Sequence, residues 1–253
     1  NVSKRAITGW THGKRLSTDF SAFSMSAQEI EPTSSLTGQI NVPGDKSISH
    51  RVLMLAALAN GKSEISGLSL GQDVQQTESI ISALGAKIER KNGTLTITGG
   101  EFQQPNSVLD VGNSGTGIRL FTGLLSGIPI QTTINGDSSI QSRPMDRVIS
   151  PLQKMGAEIK SKDNKGYAPL EITGKELTGI EYEMPIPSAQ VKSAILFAGL
   201  SAQDTTTVIE NHATRTHTEE LMAKCGIDIE SKQGRIILRP SKPEPFKHYV
   251  EGD

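Results

Sequence analysis

The sequence has a single cysteine, Cys225. One thiol closes no disulfide within the chain and builds no thiolate metal cluster, and it permits a reducing compartment. Charge of one dominant sign is missing as well: 26 Lys and Arg against 27 Asp and Glu leave a net charge of −1. That balance excludes a strongly basic nucleic-acid binder and an acidic, self-repelling disordered chain. Long apolar runs are absent. The longest candidate, Ser193 to Leu200, falls well short of the ~18 residues of a membrane helix and reads as a core helix. What remains is an ordinary globular composition, 35% hydrophobic and 21% charged over 253 residues, enough for one large domain or two small ones. Glycine is plentiful, with 25 residues, which predicts many tight turns or close backbone approaches to ligands.

Residues 1–28 carry four basic groups, Lys4, Arg5, Lys14 and Arg15, one acid, Asp19, and many Ser and Thr. They lack clear amphipathic periodicity, so residues 1–35 read as a leader, artificial or flexible, ahead of a native start at Met25. A cytoplasmic protein is expected. A transit peptide, and with it a plastid, is the alternative.

From there the chain repeats itself. Gly85-Ala86-Lys87-Ile88 recurs as Gly156-Ala157-Glu158-Ile159 and as Gly226-Ile227-Asp228-Ile229, at offsets of 71 and 70 residues. Each copy follows an amphipathic stretch (Thr77–Leu84, Val148–Met155, Thr218–Cys225) and leads into a strand-turn-strand (Lys87–Gly99, Glu158–Gly174, Asp228–Arg239). Each unit opens with a Ser-rich turn and a helix of small and apolar residues, at Ser47–Ala59, Ser114–Ser126 and Ser188–Ser201. The glycine after each second helix sits where a left-handed residue ends a helix. Alternation in Lys87–Arg90 and Thr94–Ile97 predicts half-buried strands, and Asn92-Gly93 between them predicts a hairpin turn. The first helices are apolar nearly all round, as in Val52–Ala59, which predicts full burial. Three units of strand, buried helix, strand, amphipathic helix and hairpin therefore span residues 40 to 240 or so. The tail from Pro240 to Pro245 is a turn-rich linker. Beyond it, His248–Asp253 reads as the start of another strand and turn, broken in mid-motif, which leads to the expectation of a fragment.

Polar clusters sit at the starts of the three buried helices: Gly44-Asp45-Lys46-Ser47 with Arg51, Asn113-Ser114-Gly115-Thr116 with Arg119, and Ser188-Ala189-Gln190 with Lys192. Ser, Asn and Asp at such places are ordinary N-caps. A basic residue at a helix start, however, opposes the dipole unless an anion compensates it, and three such starts pointing one way would form an anion-binding floor. Arg143 and Arg215, before the second helices, add guanidinium forks suited to carboxylate or phosphate. A local ion pair of Arg143 with Asp146 is the plainer alternative. Other templates fail. Gly61-Lys62-Ser63 lacks the first glycine of a P-loop, and Gly112–Gly117 does not match the dinucleotide fingerprint. His212 and His217 have no zinc spacing. Cys225 reads as packing.

The run Pro43-Gly44-Asp45-Lys46-Ser47-Ile48-Ser49-His50-Arg51 resembles the opening motif of the EPSP synthase family (5-enolpyruvylshikimate-3-phosphate synthase; 3-phosphoshikimate 1-carboxyvinyltransferase). The resemblance continues, in the family's order, through Asn113–Thr116, Arg143-Pro144, Ser188–Lys192 and Arg215–Glu219, the last two similar to the class that includes glyphosate-tolerant members. It implies an α/β fold: an inside-out, barrel-like domain of three βαβαββ repeats with buried helices, one of two domains. It implies transfer of the enolpyruvyl group of phosphoenolpyruvate to the 5-hydroxyl of shikimate-3-phosphate with release of phosphate, in aromatic amino acid biosynthesis, without a metal or organic cofactor. By the same resemblance Lys46 contacts both substrates and stabilises charge in catalysis. Gly115, Arg143 and Gln190 hold phosphoenolpyruvate. Ser47, Arg51, Ser188, Ala189, Gln190 and Arg215 hold shikimate-3-phosphate. The inhibitor glyphosate is a further candidate ligand, although tolerant members carry Ala where this chain has Gly115.

The resemblance also divides the chain: 36–42 as a crossover strand of the other domain, 43–245 as the three-repeat domain, and 246–253 as the start of a crossover into a C-terminal half. No matching catalytic carboxylate is found in the chain. It is therefore expected to be inactive, or nearly so, without a C-terminal half supplied as a second chain. UDP-N-acetylglucosamine enolpyruvyl transferase is a weaker match, because Gly136–Arg143 holds no cysteine and the opening motif reads Lys-Ser. A non-catalytic anion-binding module is the alternative from a different class. Neither nucleic acid nor membrane is expected as a partner.

Overall fold

A computed structural model describes residues 35, 37–40 and 42–252 of the chain. The chain forms two units, Asn1–Ile40 and Asn41–Asp253, and the described helices and strands all lie in the second. The leader expected over 1–35 falls, Ser35 apart, outside the described residues. Residues 37–40 and Val42, within the span expected as a crossover strand of the other domain, lie in no strand here, and Leu36 and Asn41 lie outside the described residues. A strand persists only where its backbone groups find a ladder partner, and none pairs there among the described residues.

The repeat unit appears as read. The first contains α1 (Lys46–Leu58), β1 (Gly61–Ser66), α2 (Gln72–Ala83), β2 (Lys87–Lys91) and β3 (Thr94–Gly99). The second contains β4 (Leu109–Asp110), α3 (Gly115–Ser126), β5 (Gln131–Asn135), a short α4 (Ser138–Gln141), α5 (Asp146–Lys154), β6 (Glu158–Lys162) and β7 (Tyr167–Thr173). The third contains β8 (Glu181–Glu183), α6 (Ala189–Gly199), β9 (Thr206–Ile209), α7 (His217–Lys224), β10 (Ile229–Lys232) and β11 (Arg235–Leu238), followed by β12 (Lys247–Tyr249). Gly85, Gly156 and Gly226 end the second helices at φ of 105°, 92° and 76°, a region closed to most side chains. Asn92 and Gly93 both take positive φ, as a two-residue hairpin turn requires.

Each unit contributes one four-stranded sheet, in the orders β12-β1-β3-β2, β4-β5-β7-β6 and β8-β9-β11-β10. The first pair in each is parallel and the rest antiparallel. Within residues 246–253, expected to begin a crossover into a C-terminal half, Lys247–Tyr249 lies parallel to Glu64–Ser66 of β1. It fills the place that β4 and β8 fill in their own units. The cause is visible in the register: without β12, the outer edge of β1 would expose unpaired backbone groups. The chain then runs back to the start of α1, where Asp45 N–H donates to Glu251 O at 2.9 Å.

The helices α1, α3 and α6 form the core. Val52–Ala57, Leu120, Phe121, Leu125 and Ala194–Ala198 are all at or near zero exposure, and each large apolar side chain buried this way contributes about 1.5–3 kcal/mol. Hydroxyls inside them are satisfied locally: Thr122 donates to Ile118 O and Ser126 to Thr122 O, both at 2.7 Å. Helices α3 and α6 come close at Gly123, where a Cβ would overlap the carbonyl of Ala194. No helix among the described residues is long and apolar enough to cross a membrane.

Gly123→Ala therefore tests the close approach. In an exposed helix that change gains about 1 kcal/mol; here overpacking should reverse the sign and cost about 2 kcal/mol. Urea unfolding of the two proteins measures it, and a neutral or stabilised variant would mean that the two helices are not in contact there.

Candidate active site at the helix N-termini

Parallel burial brings the starts of the three central helices to one face. They border a cleft of about 410 Å3. Lys46 enters it from α1 and Gln190 from α6. Asn113, Gly115 and Thr116 come from the start of α3, Asp73 from α2, and Arg143 from the turn before α5. Capping and anion binding, open alternatives in the sequence, coexist. Asp45, Ser114 and Ser188 accept from the N–H groups of Ile48, Gly117 and Val191 at 2.6, 2.9 and 3.3 Å. One cap satisfies one of the four N–H groups a helix start leaves unpaired.

The three starts differ in charge balance. At α1, Lys46 Nζ pairs with Asp73 Oδ2 at 2.9 Å. At α6, Lys192 is fully buried between Glu210 and Glu219, at 2.9 and 2.6 Å. At α3, among the described residues, neither Arg119 nor Arg143 is in an ion pair. Arg119 Nη1 donates to Gly115 O at 2.8 Å. Arg143 Nη2 donates to Asn113 Oδ1 at 3.1 Å and to Ser139 Oγ at 3.0 Å, and not to Asp146. Burial lowers the Arg119 pKa, and the charges of Arg143 and Arg147 lower it further. Both guanidinium groups crowd Gly115, where a Cβ would stand 2.6 Å from Arg143 Nη1 and 3.1 Å from Arg119 Nη1. Positive charge with no carboxylate beside it, at a helix N-terminus, is a place for an anion.

Beneath the floor lies His50, at zero exposure. Its Nδ1 is 2.7 Å from Thr77 Oγ1 and its Nε2 is 3.1 Å from Ser114 Oγ. Thr77 donates to Asp73 O at 3.4 Å, so Nδ1–H donates to Thr77 while Nε2 accepts from Ser114. The imidazole thereby ties α1 to α2 and to the cap of α3. Burial lowers its pKa to about 4; Lys46 and Arg51 add to the fall, and Asp73 and Asp45 oppose it.

The residues expected to bind ligand divide into two groups. Lys46, Gly115, Arg143 and Gln190 meet in the cleft, and Gln190 Nε2 donates across its floor to Thr116 Oγ1 at 3.1 Å. Ser47, Ser188 and Ala189 sit half-buried at the helix starts beside it. Arg51 is 4% exposed, with Nε on Thr218 Oγ1, Nη1 on Ser47 O and Nη2 on Ser193 Oγ at 2.6, 2.8 and 2.9 Å. Burial brings its pKa down to about 10, with Glu219 opposing and Arg215 adding to the fall. Arg215 is exposed in the turn before α7. Lys192 is corrected: expected with the open floor, it turns inward because two carboxylates meet it there. Asp73 and His50 were passed over. The signal for Asp73 was the repeat itself, since each second helix carries an acid in its first turn, Asp73, Asp146 and Glu219. Cys225 is buried, and burial pushes its thiol up to about 12, as a packing residue requires.

Comparison with known proteins bears on this cleft. Residues 30–253 match the family model described as EPSP synthase (3-phosphoshikimate 1-carboxyvinyltransferase). The chain is similar to the 3-phosphoshikimate 1-carboxyvinyltransferase of Nitrobacter winogradskyi, 47% identical over 229 residues, covering 85% of this chain and 51% of that one. It is 43% identical over 227 residues to the protein of that name from Bacillus velezensis, covering 88% and 53%. A solved EPSP synthase structure from Acinetobacter baumannii superposes with a TM-score of 0.82 at 41% identity, covering 85% of this chain and 50% of that one. The chain spans about half the length of the curated relatives it matches.

A pH test follows from His50. The unfolded chain takes up its proton near pH 6.5 and the native chain only near pH 4, so acid favours unfolding throughout that window. Between pH 7 and pH 5, denaturant unfolding should show wild type losing about 2 kcal/mol more than His50→Asn. Equal losses would mean that His50 is not held neutral.

Proposed function

The chain belongs to the EPSP synthase family, and from that membership we propose that it forms the substrate-binding floor on which the enolpyruvyl group of phosphoenolpyruvate moves to the 5-hydroxyl of shikimate-3-phosphate. The single observation that carries the reading is the start of α3, where Arg119 and Arg143 flank Gly115 with no carboxylate paired to either among the described residues. The donor, with a carboxylate and a phosphate, is the polyanion that such a start suits. In this reading Arg143, the Gly115 backbone and Gln190 hold phosphoenolpyruvate. Ser47, Ser188, Ala189, Gln190, Arg51 and Arg215 hold shikimate-3-phosphate, and Lys46 lies between the two.

The chemistry asks three things of the site. The methylene carbon of the donor takes a proton. The acceptor oxygen, giving up its own proton, bonds to the adjacent carbon. The resulting tetrahedral intermediate then loses a proton from the methyl group and expels phosphate as the double bond re-forms. Fixed cations serve this by holding two polyanions together and by stabilising separated charge. Lys46 is suited to the second task because its ammonium already faces the cleft, held by Asp73. Proton transfer needs groups within hydrogen-bond reach of the reacting atoms. Asp73 is the one carboxylate among the lining residues, and it is engaged by Lys46. We therefore assign the remaining acid and base to a complementary C-terminal half, whose closure over the floor also excludes water.

Two measurements test this. Phosphate release dependent on shikimate-3-phosphate should be near background for the purified chain and should appear when a family C-terminal half is added; full turnover by the chain alone would defeat the division of labour. In the reconstituted enzyme, Gly115→Ala displaces Arg143 from its place beside the donor. A lost hydrogen bond to a charged group costs about 1.5–3 kcal/mol, so the KM for phosphoenolpyruvate should rise at least about tenfold, with weaker glyphosate inhibition alongside. An unchanged KM would put the donor elsewhere.

A further inference from the structure

Resting on that reading of the acceptor side, we propose that Lys192, which touches no ligand, is a positioning residue that sets the Arg215 turn and Arg51 for the phosphate of shikimate-3-phosphate. Lys192 lies in the first turns of α6, yet its ammonium has no exposure and lies 2.9 Å from Glu210 Oε2 and 2.6 Å from Glu219 Oε1, each carboxylate 6% exposed. These two acids flank the turn that carries Arg215. Glu210 directly follows β9, and Glu219 is in the first turn of α7. One buried cation thus clasps both ends of the segment whose middle presents an exposed guanidinium.

At its start the segment is also held by Asn211, whose Nδ2 donates to Glu183 Oε1 at 2.7 Å. Thr216, the N-cap of α7, makes no side-chain cap bond and instead donates to Glu220 Oε1 at 2.6 Å. Thr214, next to Arg215, donates to Glu210 Oε1, so the clasp reaches the neighbour of the functional residue through one further hydrogen bond. The same elements hold Arg51. Ser193 follows Lys192 on α6, and Thr218 precedes Glu219 on α7. Their hydroxyls are 2.6 Å apart and receive Nη2 and Nε of Arg51. Charges balance across the group, with Arg51 and Lys192 against Glu210 and Glu219. Buried ion pairs often contribute little net stability compared with apolar replacements, while removing one partner leaves a costly unpaired charge. An arrangement of this kind is therefore better suited to fixing geometry than to adding stability, and the geometry it fixes is that of two arginines.

The test is calorimetric titration of shikimate-3-phosphate into the full chain, for wild type, Arg215→Ala, Glu210→Gln, Lys192→Met and the double variant Glu210→Gln/Arg215→Ala, with melting temperatures recorded for each. Glu210→Gln keeps shape and the partner for Thr214, so it remains informative if Lys192→Met does not fold. Glu210→Gln should weaken binding about tenfold while melting within a few degrees of wild type. The double variant should bind no more weakly than Arg215→Ala alone, since residues acting through one another are not additive. Phosphoenolpyruvate KM in the reconstituted enzyme should be unchanged by Glu210→Gln. Unchanged affinity in Glu210→Gln, or losses that simply add in the double variant, would overturn the positioning role. Failure of wild type itself to bind would overturn the acceptor reading, and this inference with it.

Discussion

Three buried helices with their N-termini at one face are the constraint on which the rest depends. Like ends of helix dipoles repel, and each start leaves N–H groups without partners. Burying α1, α3 and α6 side by side concentrates both effects at a single floor. The units resolve this differently, and the differences make a repeated scaffold directional. The first brings a carboxylate, Asp73, against Lys46 at the edge of the cleft. The third buries two around Lys192. The second pairs none with its arginines among the described residues and adds Arg143 to Arg119 around Gly115. The floor therefore has one start whose positive charge is left for a ligand, flanked by two whose charge is already balanced.

Polar pillars beneath the floor hold this pattern in place. His50 spans from Thr77 on α2 to the cap of α3. Arg51 spans from α1 to Ser193 on α6 and Thr218 on α7. His50 and Arg51 lie four and five residues beyond Lys46, the residue of α1 that faces the cleft. Because these groups are buried, an unmade bond among them is costly. That gives the three helix starts a fixed relation which apolar packing alone would leave free to slide.

Much of this was legible in the sequence, for definite reasons. The period of about 70 residues, the left-handed glycines and the Asn92-Gly93 turn are local signals, and local backbone chemistry decides them. The cleft residues Lys46, Gly115 and Gln190 were visible because polar clusters stood where buried helices begin, and Arg143 because it offered a guanidinium fork just before a second helix. What escaped was pairing between elements that lie apart in the chain. That Lys192 turns inward depends on Glu210 and Glu219 arriving from another strand and helix. That β12 completes the first sheet depends on residues nearly 200 positions from α1 in the chain. Arg51 and Arg143 look alike in sequence, and only their partners, Thr218 and Ser193 hydroxyls in the core against Asn113 and Ser139 at the rim, show that one is anchored deep and the other at the cleft edge.

The most direct measurement of the central claim is a crystal structure of the chain with shikimate-3-phosphate and phosphoenolpyruvate. The account predicts a donor anion within hydrogen-bond distance of the Gly115 N–H and the Arg143 guanidinium, with Lys192 still enclosed by its two carboxylates. Donor density elsewhere, with the start of α3 empty, or Lys192 turned out to meet a ligand, would contradict it.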